Sequence, residues 1–118
     1  MLFLCVAVPL VLYLTLLIEV LQLPNPRGKV DLDGLMRELG RRELNEIHVE
    51  AGFKLNGSLL AEGVVDELLL YFAPRVLGHA GLGMFNLPEL EKLDAAPALE
   101  LFDLKPIGPD LRVRARVV

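Results

Sequence analysis

The fold turns on one stretch, Ile47-His48-Val49-Glu50-Ala51-Gly52-Phe53-Lys54-Leu55-Asn56-Gly57-Ser58-Leu59-Leu60-Ala61-Glu62-Gly63-Val64-Val65-Asp66-Glu67-Leu68-Leu69-Leu70-Tyr71-Phe72. Ile47 and Val49 alternate with polar residues and suit a short strand that stops at Glu50-Ala51-Gly52. Glu50 then stands at the carboxyl end of a strand. Open α/β sheets collect ligands just outside such ends, where the first N–H groups of a following helix suit an anion. Gly52 permits a turn with positive φ or the close approach of a phosphate, and Gly57 removes side-chain bulk a little over a turn later. Leu55 and Leu59 lie at helical spacing, with Gly63 as a stop. The run Leu68 to Phe72 reads as a central strand covered on both faces.

Several chemistries are excluded by what accompanies this unit. Gly52 and Gly57 have the glycine spacing of a phosphate loop, but Ser58 follows Gly57 directly and the required lysine is missing. No G-x-G-x-x-G follows a strand. His48, His79 and the single Cys5 have no zinc-ligand spacing, so no metal is expected, and a lone cysteine supports no disulfide framework. The H-x-E and P-C-x-x-C elements of zinc nucleobase deaminases are absent. A formal net charge of -4 gives no electrostatic case for nucleic acid. With 53% hydrophobic and 24% charged residues over 118 positions, the chain is apolar for a soluble protein and long enough for one modest core.

Val49-Glu50-Ala51-Gly52, Leu55-Asn56-Gly57-Ser58-Leu59-Leu60, Val65-Asp66-Glu67-Leu68 and Tyr71-Phe72-Ala73-Pro74 together resemble one family. It is the reductase domain at the C-terminus of the bifunctional riboflavin biosynthesis deaminase/reductase. The likeness continues through Val76-Leu77-Gly78, Leu87-Pro88-Glu89-Leu90 and Ile107-Gly108-Pro109-Asp110, from about Glu19 to the end. The resemblance implies NADPH-dependent reduction of the phosphoribosylamino-pyrimidine 5-amino-6-(5-phosphoribosylamino)uracil. It implies Glu50 as a substrate contact and Gly52, Phe53, Lys54, Leu55, Asn56, Gly57 and Ser58 as the cofactor-phosphate region. The family has a small residue or proline where this chain has Phe53, a ring expected to crowd the dinucleotide. No residue reads as the proton donor, so the catalytic residue is unknown.

Leu2 to Ile18 is apolar and uncharged up to Glu19, at the lower limit for spanning a bilayer. Two readings stay open. One is a buried strand Leu2 to Ala7, a helix from Pro9 and a strand at Glu19 to Gln22; the other is a membrane anchor. Leu23 to Lys29 is a turn-rich connector. Asp31 is an N-cap for a helix with Leu32, Leu35, Met36 and Leu39 on one face and Gly40 as its stop. Arg37, Arg41 and Arg42 are expected on its outer face, solvated. Asp66 and Glu67 are adjacent, so on a strand they point to opposite faces and cannot share one proton site. Leu111, Val113, Ala115 and Val117 alternate with Arg112, Arg114 and Arg116, giving a core face and a basic face.

The expected organisation is an apolar segment 1–18 and a reductase-type domain 19–118. The expected fold is α/β with a dihydrofolate-reductase-like mixed sheet, mostly parallel with a C-terminal antiparallel hairpin and lacking its N-terminal part. The resemblance further implies a cytoplasmic homodimer. The alternatives are a non-catalytic remnant or dimerisation module, and a membrane-associated version.

Overall fold

The computed structural model describes residues 19–118. They fall into two compact units divided between Gly52 and Phe53. The expected strand Leu2 to Ala7, the helix from Pro9 and the bilayer reading of Leu2 to Ile18 lie outside the described residues. Among the described residues no helix is long and apolar enough to cross a membrane.

In the first unit the connector is a closed turn. Asn25 Oδ1 accepts the N–H groups of Arg27 and Lys29, each at 2.9 Å, and Pro24 pairs with Val30 in an antiparallel bridge. That turn delivers Asp31 to the start of helix α1, Leu32–Arg41, where its carboxylate accepts the Gly34 N–H at 2.9 Å. The cap satisfies one of the donors that helical geometry leaves without an acceptor. Leu32, Leu35 and Leu39 are buried along one stripe, as their spacing predicts. The outer-face arginines are paired: Arg37 with Asp33, Arg41 with Glu38, and Arg42 with both Glu38 and Glu19. The hydrogen bond from Arg42 holds the Glu19 carboxyl below the usual carboxylate range.

Gly40 is not the stop of α1. The Glu43 N–H donates to the Gly40 carbonyl at 2.9 Å and the Leu44 N–H to the Leu39 carbonyl at 3.3 Å, the double closure of a left-handed helix end. The residue that takes the left-handed conformation is Glu43, at φ 61°. The expected strand at Ile47 to Val49 is also not formed: residues 44–52 have no ladder partner among the described residues. Its apolar alternation is real, but a strand needs a second strand beside it, and Ile47 and Val49 are 37% and 38% exposed. Glu19 to Gln22 likewise carries no strand.

The second unit opens with helix α2, Phe53–Ala61. Here the stop is the expected one. Gly63 has φ 67°, its N–H donates to the Leu60 carbonyl at 3.2 Å, and the Val64 N–H donates to the Leu59 carbonyl at 3.3 Å. Strands β1 (Glu67–Phe72), β2 (Leu99–Ile107) and β3 (Asp110–Val117) follow, in the sheet order β1-β3-β2 with both pairings antiparallel. The C-terminal hairpin is therefore antiparallel as expected. The mostly parallel remainder is not present among the described residues: β1, expected at the centre, is an edge of this sheet, and the central strand is β3. Leu69, Tyr71 and Phe72 are accordingly 41%, 57% and 45% exposed.

The register sorts the side chains of this sheet. Leu68 and Leu70 stand opposite Ala115 and Val113, and Leu101 and Leu104 stand opposite the same two residues from the other side. Val113 and Ala115 are buried. The opposite face carries the arginines. A bulge between Leu101 and Asp103 places the Phe102 ring under Arg114 and Arg116, at 5.0 and 4.7 Å. Arg112 donates to Asp103 at 2.6 Å, and Arg114 donates two bonds to Glu67 at 2.5 and 3.1 Å. That pairing holds the Glu67 carboxyl below the usual carboxylate range. Glu67 is structural, as the strand alternation implies.

A left-handed backbone costs a side-chain-bearing residue about 1–2 kcal/mol. Glycine escapes that cost but loses more freedom on folding, about 0.5–1 kcal/mol. Glu43→Gly is therefore expected to raise Tm by a few degrees in a thermal melt, on the order of 2–5 °C. A lower Tm would show that Glu43 makes a contact worth more than the relief.

Candidate functional site

Two stretches bear on function, one in each unit: His48 to Gly52 closes the first, and Phe53 to Ser58 opens the second. Glu50 extends from the unpaired segment with its side chain 71% exposed, and His48 Nε2 lies 3.6 Å from its Oε1. That separation puts imidazole and carboxylate side by side. Gly52 does not take a left-handed conformation, so that expected reason for glycine is not the operative one. Its surroundings are open: no described heavy atom lies within 4 Å of where a Cβ would stand.

Only Ala51 and Gly52 separate Glu50 from the first residue of α2. The first four N–H groups of any α-helix lack intrahelical acceptors. At α1 Asp31 satisfies one of them, and Asp33 adds negative charge to the first turn. At α2 no described side chain accepts from these groups, and the first turn holds no acidic residue. Lys54, in that turn, is exposed. An anion suits such an end because it supplies both the acceptors and the charge that the peptide dipoles favour.

The rest of α2 is held by the segment Met84 to Asn86. The Asn86 N–H donates to the Phe53 carbonyl at 3.0 Å, and Asn56 Nδ2 donates to the Met84 carbonyl at 3.3 Å. Gly57 is buried against the Asn86 backbone, where a Cβ would stand 2.2 Å from its carbonyl oxygen. Phe53 Cε2 lies 3.7 Å from where Gly83 would carry a Cβ, so the ring leans on that glycine loop. The seven residues expected to meet the cofactor thus divide. Gly52, Phe53 and Lys54 stand at the open end, and Leu55 and Ser58 are half-buried. Asn56 has its amide on Met84. Gly57 is packed against the Asn86 backbone, which covers it.

The chain carries known relatives. The family described as the RibD C-terminal domain matches residues 7–113. This chain belongs to that family. It is 44% identical over 94 residues to the riboflavin biosynthesis protein RibD of Escherichia coli K12, an alignment covering 80% of this chain and 26% of that protein. It is 34% identical over 85 residues to the 5-amino-6-(5-phosphoribosylamino)uracil reductase of Buchnera aphidicola from Acyrthosiphon pisum, covering 72% of this chain and 41% of that one. Among solved structures, Acinetobacter baumannii RibD superposes with a TM-score of 0.71 at 28% identity, over 77% of this chain and 26% of that chain. The chain therefore spans about a quarter of the length of these RibD relatives. The RibD family match places the Glu50 to Ser58 unit inside the matched region.

Alanine normally stabilises a helix relative to glycine by about 1 kcal/mol. At position 57 the clash with the Asn86 backbone reverses the sign. Gly57→Ala is expected to cost about 1–3 kcal/mol in urea unfolding, whereas Gly52→Ala, with open space around it, is expected to cost less than about 1 kcal/mol. A stabilised Gly57→Ala chain would refute the close approach.

Proposed function

We infer that the chain takes part in the NADPH-dependent reduction of 5-amino-6-(5-phosphoribosylamino)uracil to its ribitylamino product, a step of riboflavin biosynthesis. It does so as the segment of a RibD-type reductase that holds a cofactor phosphate and faces the sugar. The observation that carries this reading is the uncapped, acid-free first turn of α2. The relative named as the pyrimidine reductase aligns over 72% of the chain, which supports the same substrate class here.

The residues at the open end fit the anionic part of a dinucleotide. Backbone N–H groups of Phe53, Lys54 and Leu55 supply donors, and the Lys54 ammonium supplies charge. When bound, the reduced nicotinamide supplies the two electrons and the hydrogen of the reduction. The protein's own part is placement: Glu50 accepts hydrogen bonds from sugar hydroxyls and fixes the ribosyl group. Asn86 and Met84 keep the turn in shape through Phe53 and Asn56. Phe53 itself leans toward Gly83.

Within this reading the three-stranded sheet is the C-terminal part of a mixed, dihydrofolate-reductase-like sheet. The domain runs over 19–118 beside an apolar segment 1–18, and the working form is a cytoplasmic homodimer. A second reading, a non-catalytic module that pairs without turnover, draws on one observation. Leu101 and Leu104 on the apolar face of the sheet are 55% and 56% exposed.

Steady-state NADPH oxidation with the pyrimidine separates the two. The expected result is turnover, with Glu50→Ala raising KM about 10- to 100-fold, the loss of hydrogen bonds to a charged group. A chain that binds neither NADPH nor the pyrimidine supports the non-catalytic module instead.

A further inference from the structure

The geometry points to His48 as the proton donor that opens the ribose ring. This rests on the reading of Glu50 as the sugar contact, and it supplies the catalytic residue that the sequence left unknown. His48 and Glu50 lie side by side on the segment 44–52, with Nε2 3.6 Å from Oε1. That separation is too long for a hydrogen bond, so the Nε2 proton is not committed to Glu50. Both side chains are open to an incoming ligand, at 59% and 71% exposed. Imidazole is also the side chain that ordinarily takes up and gives up a proton near neutral pH. A sugar held by Glu50 therefore has a donor beside it.

The substrate needs such a donor. Its C1′ is bonded to the ring oxygen O4′ and to the amino nitrogen, and the ring must open before C1′ can be reduced. As the C1′–O4′ bond breaks, its electron pair goes to O4′, which takes the proton from His48 Nε2 and becomes a hydroxyl. The nitrogen lone pair forms the C1′=N bond of an iminium, the group the reduced nicotinamide then reduces. Neutral His48 recovers its proton from water. Without reduction the same steps run backwards, and closure on either face of C1′ interconverts the two anomers. Ring opening is thus measurable with no cofactor present.

The test follows anomer exchange of the pyrimidine substrate, labelled with carbon-13 at C1′, by NMR exchange spectroscopy on the full chain without NADPH. The expected result is that the wild-type chain accelerates exchange and that His48→Gln lowers the saturated rate roughly 100-fold. The substrate concentration at half-saturation stays unchanged, and added imidazole restores the rate. Glu50→Gln raises that concentration instead. His48→Gln exchanging at the wild-type rate overturns the proposal, as does a defect confined to half-saturation or one that imidazole does not relieve. A wild-type chain that binds substrate without accelerating exchange overturns it while leaving the Glu50 reading intact. A wild-type chain that binds no substrate overturns both.

Discussion

The backbone of Asn86 lies so close to Gly57 that no other residue type fits at that helical position without displacement. The second unit's site geometry depends on this approach. It brings the Asn86 N–H onto the Phe53 carbonyl and the Met84 carbonyl within reach of Asn56, so the first turn of α2 is fixed from outside the helix. A nine-residue helix would be marginal alone. Clamped at its start and closed at Gly63, it keeps its N-terminal donors in one place, which any site for an anion requires.

A similar economy governs the sheet. β3 alternates apolar and basic residues, and being central it forces both neighbours to answer that alternation. The apolar face gathers Leu68, Leu70, Leu101 and Leu104 around Val113 and Ala115. On the other face Glu67 and Asp103 neutralise arginines directly, and the bulge at Phe102 adds a ring under two of them. Exposed ion pairs of this kind contribute modestly, about 0–1 kcal/mol each. Their larger effect here is on specificity, because a slip of one residue would set Arg114 against leucines and bury charge. The arginine row is thereby occupied within the sheet and is a poor candidate for the phosphate.

How much was legible in the sequence follows from the range of the interactions involved. Local features could be read: Asp31 as a cap, the leucine stripe of α1, Gly63 as the end of α2, the alternation in β3. Each is settled within a few residues. Gly40 misled because a glycine near a helix end is the usual stop, whereas Glu43 took the left-handed position. Ile47 to Val49 and Leu68 to Phe72 misled for a different reason. Apolar content says that a segment wants burial, but it does not say which strand lies beside it. Near Glu50 the helix that follows Gly52 was legible as a turn-helix pattern, whereas the strand expected before it did not form. The covering of Gly57 by Asn86 was not legible, since the missing side chain announces a close approach without naming the partner. His48 was passed over as a metal ligand, and its nearness to Glu50 emerged only from the folded segment.

The account rests on the free amides that open α2 receiving an anionic group of the dinucleotide. Titrating NADPH into the isotopically labelled chain and following backbone amide resonances tests this most directly. The account predicts saturable shifts at Gly52 to Leu55, with Gly57 and the arginines of β3 moving little. Shifts centred on Arg112, Arg114 and Arg116 with the α2 amides unmoved would contradict it.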